Sequence, residues 1–293
     1  MQFLIFILVY PFIWIFSILP FSVLYFISDG IYYLLYYIIS YRKEIVLHNL
    51  KLAFPEKSNQ ELTIISKKFY RHFIDIFIEM IKSFTISEKE IVRRFKFTNI
   101  EILDDLVSKD RSLILLGSHY ANWEWIFNLN LFIKNAKGYA VYKKLRNPYF
   151  DKAARESRER YNTALITTKN IIKHIEHNTK NDIQSIYGFL SDQSPKSKKA
   201  HHWSTFLGRK IPVITGSEML AKKHNLAVVS FTVKKVKRGF YEATFNLLAE
   251  NPNDYKDYEI TDSYLKELEQ VIYKQPEFYF WTHKRFKHTE PDE

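Results

Sequence analysis

The chain has 293 residues, 46% hydrophobic and 17% aromatic, so it can bury a full core and its composition excludes intrinsic disorder. It has no cysteine, which excludes disulfides, thiolate nucleophiles, acyl-cysteine intermediates and cysteine metal sites together. The formal net charge is +11, yet residues 1–41 carry one charged side chain, Asp29, so an apolar end is joined to a basic body suited to an anionic partner. The apolar end favours lipid over nucleic acid as that partner.

Met1 to Ile39 is almost continuously apolar. A bilayer core of about 30 Å needs about 20 helical residues, so residues 3–27 have the length for one span. Pro11 and Pro20 punctuate this stretch, and a span over 3–19 followed by an interfacial segment fits equally well. The tyrosines of Ile31-Tyr-Tyr-Leu-Leu-Tyr-Tyr suit a headgroup boundary. A cleaved signal peptide and a buried core helix are the competing readings; the first should open with positive charge and end in small residues, and this stretch has neither. Arg42 and Lys43 follow directly, which by the positive-inside rule puts the body in the cytoplasm. Residues 1–40 are thus expected to be a membrane anchor with an interfacial segment, and 41–293 a single domain.

In that domain, residues 41–95 read as a helical lead-in. The spacing predicts helices over 41–54, stopped by Pro55, and over 59–84, where Leu62, Ile65, Phe69, Phe73 and Ile76 recur on one face. Ser87 followed by Glu90 reads as a capping box that opens a further short helix. From residue 96, short apolar runs alternate with helical patterns, which predicts an α/β fold, a mixed sheet flanked by helices. The expected strands are 96–98, 112–116, 139–142, 165–166, 183–189, 227–236 and 241–248, and the expected helices 121–134, 148–161, 170–177, 216–224 and 263–274. Gly239 marks a turn that joins the last two strands into a hairpin.

The stretch with the clearest chemistry is Leu113-Ile-Leu-Leu-Gly-Ser-His-Tyr-Ala-Asn-Trp-Glu124. A buried strand ends at Gly117 and delivers His119 and Glu124. On one continuous helix these two would stand about 140° apart, so they meet only if His119 sits in the turn and Glu124 in the first turns of a new helix. Gly117, Ser118 and Asn122 suit such a turn and helix start. Backbone N–H groups at that start can face a developing negative charge. A carboxylate on one imidazole nitrogen makes the other a better base, able to take the proton of a hydroxyl that attacks a thioester directly. A strand-end histidine bonded locally is the plain alternative.

The block Gly-Ser-His119-Tyr-Ala-Asn-Trp-Glu124 resembles the HxxxxD/E signature of glycerolipid-type acyltransferases, and more specifically the lipid A biosynthesis (late) acyltransferases of the lauroyl and myristoyl type. Four further stretches resemble that family in the same order: Tyr41-Arg-Lys…Asn49-Leu…Phe54-Pro-Glu56, Val141-Tyr-Lys-Lys-Leu-Arg-Asn-Pro148, Gly188-Phe-Leu-Ser-Asp-Gln-Ser-Pro195 and Trp203-Ser-Thr-Phe-Leu-Gly208. The resemblance implies a glycerolipid-acyltransferase-like fold with an N-terminal anchoring helix, at the bacterial inner membrane with its catalytic domain facing the cytoplasm. It implies transfer of a fatty acyl chain from acyl carrier protein to a hydroxyl of a lipid A precursor, with His119 as base and Glu124 as its orienting partner. Acyl-CoA as donor, and another glycolipid, a phospholipid or an aminolipid as acceptor, remain alternatives. No cofactor is expected beyond the acyl donor.

The remaining candidates would bind substrate. Arg158 and Arg160 match the family's arginine block, and guanidinium groups suit bidentate phosphate contacts; Asn162 stands where the family usually has glycine. Lys143, Lys144 and Arg146 follow an expected strand and can form a basic rim, or simply a solvated face. Asp192 and Gln193 end the strand at 183–189, and Asn122 joins this substrate-binding group. The basic run Lys196, Lys198, Lys199, Arg209 and Lys210 suits anionic headgroups or an acidic carrier protein, as well as plain solubility. His201, His202, His283 and His288 lack metal-ligand spacing. A silent membrane-tethering protein is the competing class, and nothing resembles a nucleic-acid-binding motif.

Overall fold

The computed structural model describes residues 1–195 and 200–288. The N-terminal stretch forms α1 (Gln2–Ile18) and α2 (Phe21–Tyr33), continued by a short π-helical segment over Leu34–Ile38. Pro11 is accommodated inside α1; the break falls at Leu19–Pro20. The continuous helix over Phe21–Ile38 is long and apolar enough to cross a membrane, yet it packs along the body. α3 (Lys43–Ala53) and α4 (Asn59–Lys82) follow as the spacing predicts. The complete capping box belongs to α4, where Ser58 and Glu61 bond reciprocally. At α5 (Glu88–Arg94) only half of the expected box forms, since Ser87 Oγ accepts from Glu90 N–H while the Glu90 carboxylate turns to Arg93 and Arg94.

The body follows with β1 (Phe95–Thr98), α6 (Glu101–Ser108), β2 (Leu113–Gly117), a 3-10 helix over Glu124–Leu131, β3 (Lys137–Tyr142), α7 (Pro148–Glu159), β4 (Thr163–Thr167), α8 (Ile171–Lys180) and β5 (Ser185–Leu190). Then come β6 (Trp203–Phe206), β7 (Arg209–Pro212), α9 (Gly216–His224), β8 (Ala227–Lys237), β9 (Phe240–Ala249) and α10 (Glu259–Lys274). Among the described residues, seven strands form one mixed sheet in the order β1-β9-β8-β2-β5-β3-β4, and β6 and β7 pair as a separate hairpin. All seven expected sheet strands are present, with boundaries shifted by one to a few residues; α6 and the β6–β7 hairpin were not anticipated.

β2 lies at the centre, buried throughout, with parallel neighbours β5 and β8. β3 and β4 run the same way, so the loops after β2, β5 and β3 gather on one sheet edge. Such a carboxyl-end edge is where open α/β sheets place their ligands. β8 pairs with β2 only through Ser230, and the β8–β9 hairpin continues past that edge as an arm. Gly239 turns its tip at φ 73°, and a Cβ there would lie 2.0 Å from the Tyr25 hydroxyl of α2, so only glycine lets helix and arm meet.

Candidate active site

The strand pairing itself builds the site. Gly117 of β2 is the register partner of Leu190 of β5, so two residues beyond each strand bring His119 and Asp192 together. The His119 Nδ1 lies 2.7 Å from Asp192 Oδ1. Gly117 is required here for space, because a Cβ would meet the Phe231 ring at 2.2 Å. The turn is fixed by Ala121, held at φ 49° with its N–H on the Phe278 carbonyl at 2.9 Å. A left-handed alanine is costly and persists only where surrounding contacts enforce it.

This geometry corrects the expected pairing. The imidazole is oriented by Asp192 across the sheet edge, whereas the Glu124 Oε1 accepts from Arg158 Nε at 2.5 Å. Ala121 breaks the anticipated helix over 121–134, and a 3-10 helix begins at Glu124 instead. Glu124 therefore reaches Arg158 of α7, while its charge still acts on His119. Burial opposes the protonated imidazole, but the Asp192 carboxylate, its hydrogen bond and Glu124 together raise the His119 pKa above its ordinary value. Burial likewise opposes the Asp192 charge, yet His119, its hydrogen bonds and Arg285 hold the carboxyl below the usual range. With Nδ1 committed to Asp192, Nε2 is the basic nitrogen left on the open side of the ring, where the Gln193 amide nitrogen approaches it at 3.4 Å. The rings of Trp123 and Phe280 pack on the imidazole at 5.2 and 5.7 Å, making that side apolar.

Other candidates divide by placement. Asn122 is fully buried behind the site, accepting from Trp125 N–H at 3.0 Å and donating to Glu79 at 2.6 Å, so both ends of its amide are used and it fixes the loop rather than facing a ligand. Arg160 is also a structural clamp, since its guanidinium donates to the carbonyls of Phe84 and Ile86 at 2.8 and 2.9 Å. Asn162 takes φ 60°, the left-handed turn that glycine would otherwise supply. Lys143, Lys144 and Arg146 are exposed on the β3–α7 loop, on the same edge as His119. Of the backbone N–H groups around this loop, those of Ala121 and Trp125 are occupied by protein acceptors. Arg209 and Lys210 open β7, and Lys196, Lys198 and Lys199 lie outside the described residues.

Sequence reasoning missed the shell behind Asp192. The Tyr264 hydroxyl donates to Gly117 O at 2.6 Å, the Tyr279 hydroxyl faces the Asp192 carbonyl at 3.4 Å, and Ser194 N–H donates to His283 Nε2 at 3.3 Å. Buried Arg285 donates to Ser194 Oγ at 2.8 Å. The aromatic run Phe278–Trp281 was the only available signal, and it carried no spacing that tied it to β2.

The family described as "Bacterial lipid A biosynthesis acyltransferase" matches residues 1–288. A lipid A biosynthesis lauroyltransferase of Escherichia coli (strain K12) is 26% identical over 281 residues, 96% of this chain and 90% of that protein. A lipid A biosynthesis acyltransferase of Haemophilus influenzae is 24% identical over 260 residues, 86% and 79% of the two chains. A lipid A biosynthesis palmitoleoyltransferase of Escherichia coli (strain K12) is 22% identical over 277 residues, 94% and 88%. With its match running from the first residue through the last described ones, the chain belongs to the bacterial lipid A biosynthesis acyltransferase family and is an acyltransferase.

Proposed function

We propose that this acyltransferase is membrane-bound and moves a fatty acyl chain from acyl carrier protein to a hydroxyl of a lipid A precursor, without a cofactor or a covalent enzyme intermediate. The observation that carries the reading is the His119–Asp192 pair at the end of β2, with Nε2 turned away from the carboxylate, beside an apolar wall and within 3.4 Å of the Gln193 amide. His119 Nε2 takes the acceptor's proton as the hydroxyl oxygen attacks the thioester carbonyl. The ester C–O bond forms, the C–S bond breaks, and the imidazolium returns the proton to the departing thiolate. Asp192 is a positioning residue that fixes the tautomer. Glu124 adds negative charge near the imidazolium and holds Arg158, whose partly exposed guanidinium can approach a phosphate. Lys143, Lys144 and Arg146 extend that basic rim. The apolar α1 and α2 attach the enzyme to the cytoplasmic face of the inner membrane.

The test uses the full chain in vesicles with labelled acyl-carrier protein and a tetra-acylated lipid A precursor, the product being read by mass. The wild-type chain is expected to add one acyl group, and His119→Ala to stay folded and membrane-bound with transfer lowered at least about 10²-fold. Full activity of His119→Ala would sink the proposed base. A parallel acyl-CoA arm decides the donor, and acylation of phospholipid instead of the precursor would favour the alternative acceptor.

A further inference from the structure

α1 touches the body along its whole length. At its start the Gln2 carbonyl accepts from Asn147 Nδ2 at 3.0 Å, and Phe6 packs on Tyr149 and Phe150 of α7 with ring centroids 5.7 and 5.2 Å apart. Midway, Tyr10 meets Phe84 edge-on at 6.0 Å. At its end Lys82 Nζ donates to the carbonyls of Ser17 and Leu19 at 2.8 and 3.0 Å, and the Thr85 hydroxyl also donates to Ser17 O, so last-turn carbonyls that lack intrahelical donors are bound by the body. α2 is docked by polar groups: Tyr25 to Glu79 at 2.9 Å, Ser28 to Asp75 at 2.8 Å, and Asp29 to Arg238 at 2.8 Å. The opposite faces are bare hydrocarbon, with Leu8, Phe12, Phe26 and Ile38 exposed by 68, 65, 80 and 75%.

A helix that crosses a bilayer core of about 30 Å puts its two ends on opposite sides. α1 spans about 25 Å at 1.5 Å per residue, and both of its ends are bound to one folded body. A crossing by Phe21–Ile38 is equally incompatible with its contacts, because it would carry the Asp29–Arg238 pair and the tip of the β8–β9 arm into the hydrocarbon, where charged groups are strongly disfavoured. We infer that neither helix crosses the membrane: α1 and α2 lie in its plane, their exposed faces in the acyl-chain layer of one leaflet, and the enzyme is monotopic. The flank of this face has the composition of a headgroup boundary. Lys67 Nζ stands over the Tyr37 ring at 5.9 Å and the Arg71 guanidinium over Tyr32 at 4.9 Å, tyrosine and cation together where anionic headgroups lie. Because the start of α1 docks against the β3–α7 connection, on the same sheet edge as His119, the leaflet surface is brought to the site, and an acceptor can be acylated with its own chains still in the bilayer.

This inference rests on the membrane reading above, and its test reads location, not turnover. The absence of cysteine allows single pairs to be placed in the full chain. In sealed vesicles, Gln2→Cys with Asn147→Cys is expected to cross-link through a short bismaleimide as efficiently as in detergent. Gln2→Cys alone should react with a membrane-impermeant maleimide from the same face as Glu101→Cys, an exposed reference on α6. A cross-link seen only in detergent, with Gln2→Cys labelled from the opposite face, overturns the inference. Tyr10→Cys with Phe84→Cys repeats the measurement at mid-helix if the first pair perturbs folding. Recovery of the chain in the soluble fraction overturns the membrane reading itself.

Discussion

As the proposed base, His119 would act only when neutral, and against the opposing effect of burial its pKa is raised by the carboxylate at its back. Activity should therefore climb as pH rises through a value above that of an ordinary imidazole. In Asp192→Asn the burial that opposes the imidazolium is no longer outweighed by that carboxylate, so the acidic limb of the kcat/KM profile should move to lower pH while kcat falls about 10²–10⁴-fold. A merely structural Asp192 would lower activity without moving the limb. A second titration lies just behind the loop. Burial and the neighbouring Asp75 raise buried Glu79 from 4.5 to about 7, against the pull of Lys235, Tyr25 and Tyr241. The folded state thus holds a proton that the unfolded chain releases. Stability from this group is full below about pH 4.5 and is lost as pH rises through about 7. Glu79→Gln should flatten thermal stability between those limits, by about 3 kcal/mol at most. His119 and Glu124 were legible in the sequence because their spacing after an apolar run is local. Asp192 was legible as a residue at the same sheet edge, but its pairing with His119 was not, since the two are 73 residues apart and their meeting depends on which strand lies beside β2. Asn122 and Arg160 looked like ligands for a related reason: a polar side chain in sequence does not reveal whether Glu79 or a carbonyl already occupies it.

α4 is the element on which the N-terminal helices and the catalytic loop both depend. Its Asp75 is buried and accepts from Ser28, Arg238 and Lys235, while Glu79, one turn on, accepts from Tyr25, Tyr241 and Asn122. Removing Asp75 leaves the half-buried Lys235 and Arg238 and the buried Ser28 hydroxyl with fewer partners, so Asp75→Ala should cost about 1–3 kcal/mol and speed amide exchange in α2 more than in β2. Equal acceleration in both would show a global loss instead of a released helix. The long helices and buried strands were legible because their apolar periodicity extends over several turns or a whole strand. The 121–134 helix was misread because its pattern continues through Ala121, and only the Phe278 carbonyl across the fold reveals the left-handed turn there. The β6–β7 hairpin escaped notice because its strands are four residues each and its turn is Leu207-Gly208, with both residues at positive φ and only the second a glycine.

At the scale of the molecule, two surfaces of opposite character stand side by side: hydrocarbon on α1 and α2, and a body that carries 43 basic against 31 acidic residues, a net charge of +12. Raising ionic strength from about 0.01 to 1 M shortens the screening length from about 30 to 3 Å. The KM for an acidic carrier-protein donor should therefore rise steeply with salt while sedimentation with vesicles persists, because burial of hydrocarbon is not screened. Release from vesicles by salt alone would mean that charge, not the helices, holds the enzyme there. The docking of α2 on the β8–β9 arm also bears on how the chain is made. Asp29 leaves the ribosome early, yet its partner Arg238 is synthesised 209 residues later. At about 5–20 residues per second that is a wait of roughly 10 to 40 s. Throughout it α1 and α2 lack the arm that fastens them and have α4, made soon after them, as their first protein surface, so the leaflet proposed above as the enzyme's workplace would also shelter their hydrocarbon faces from aggregation until the arm arrives.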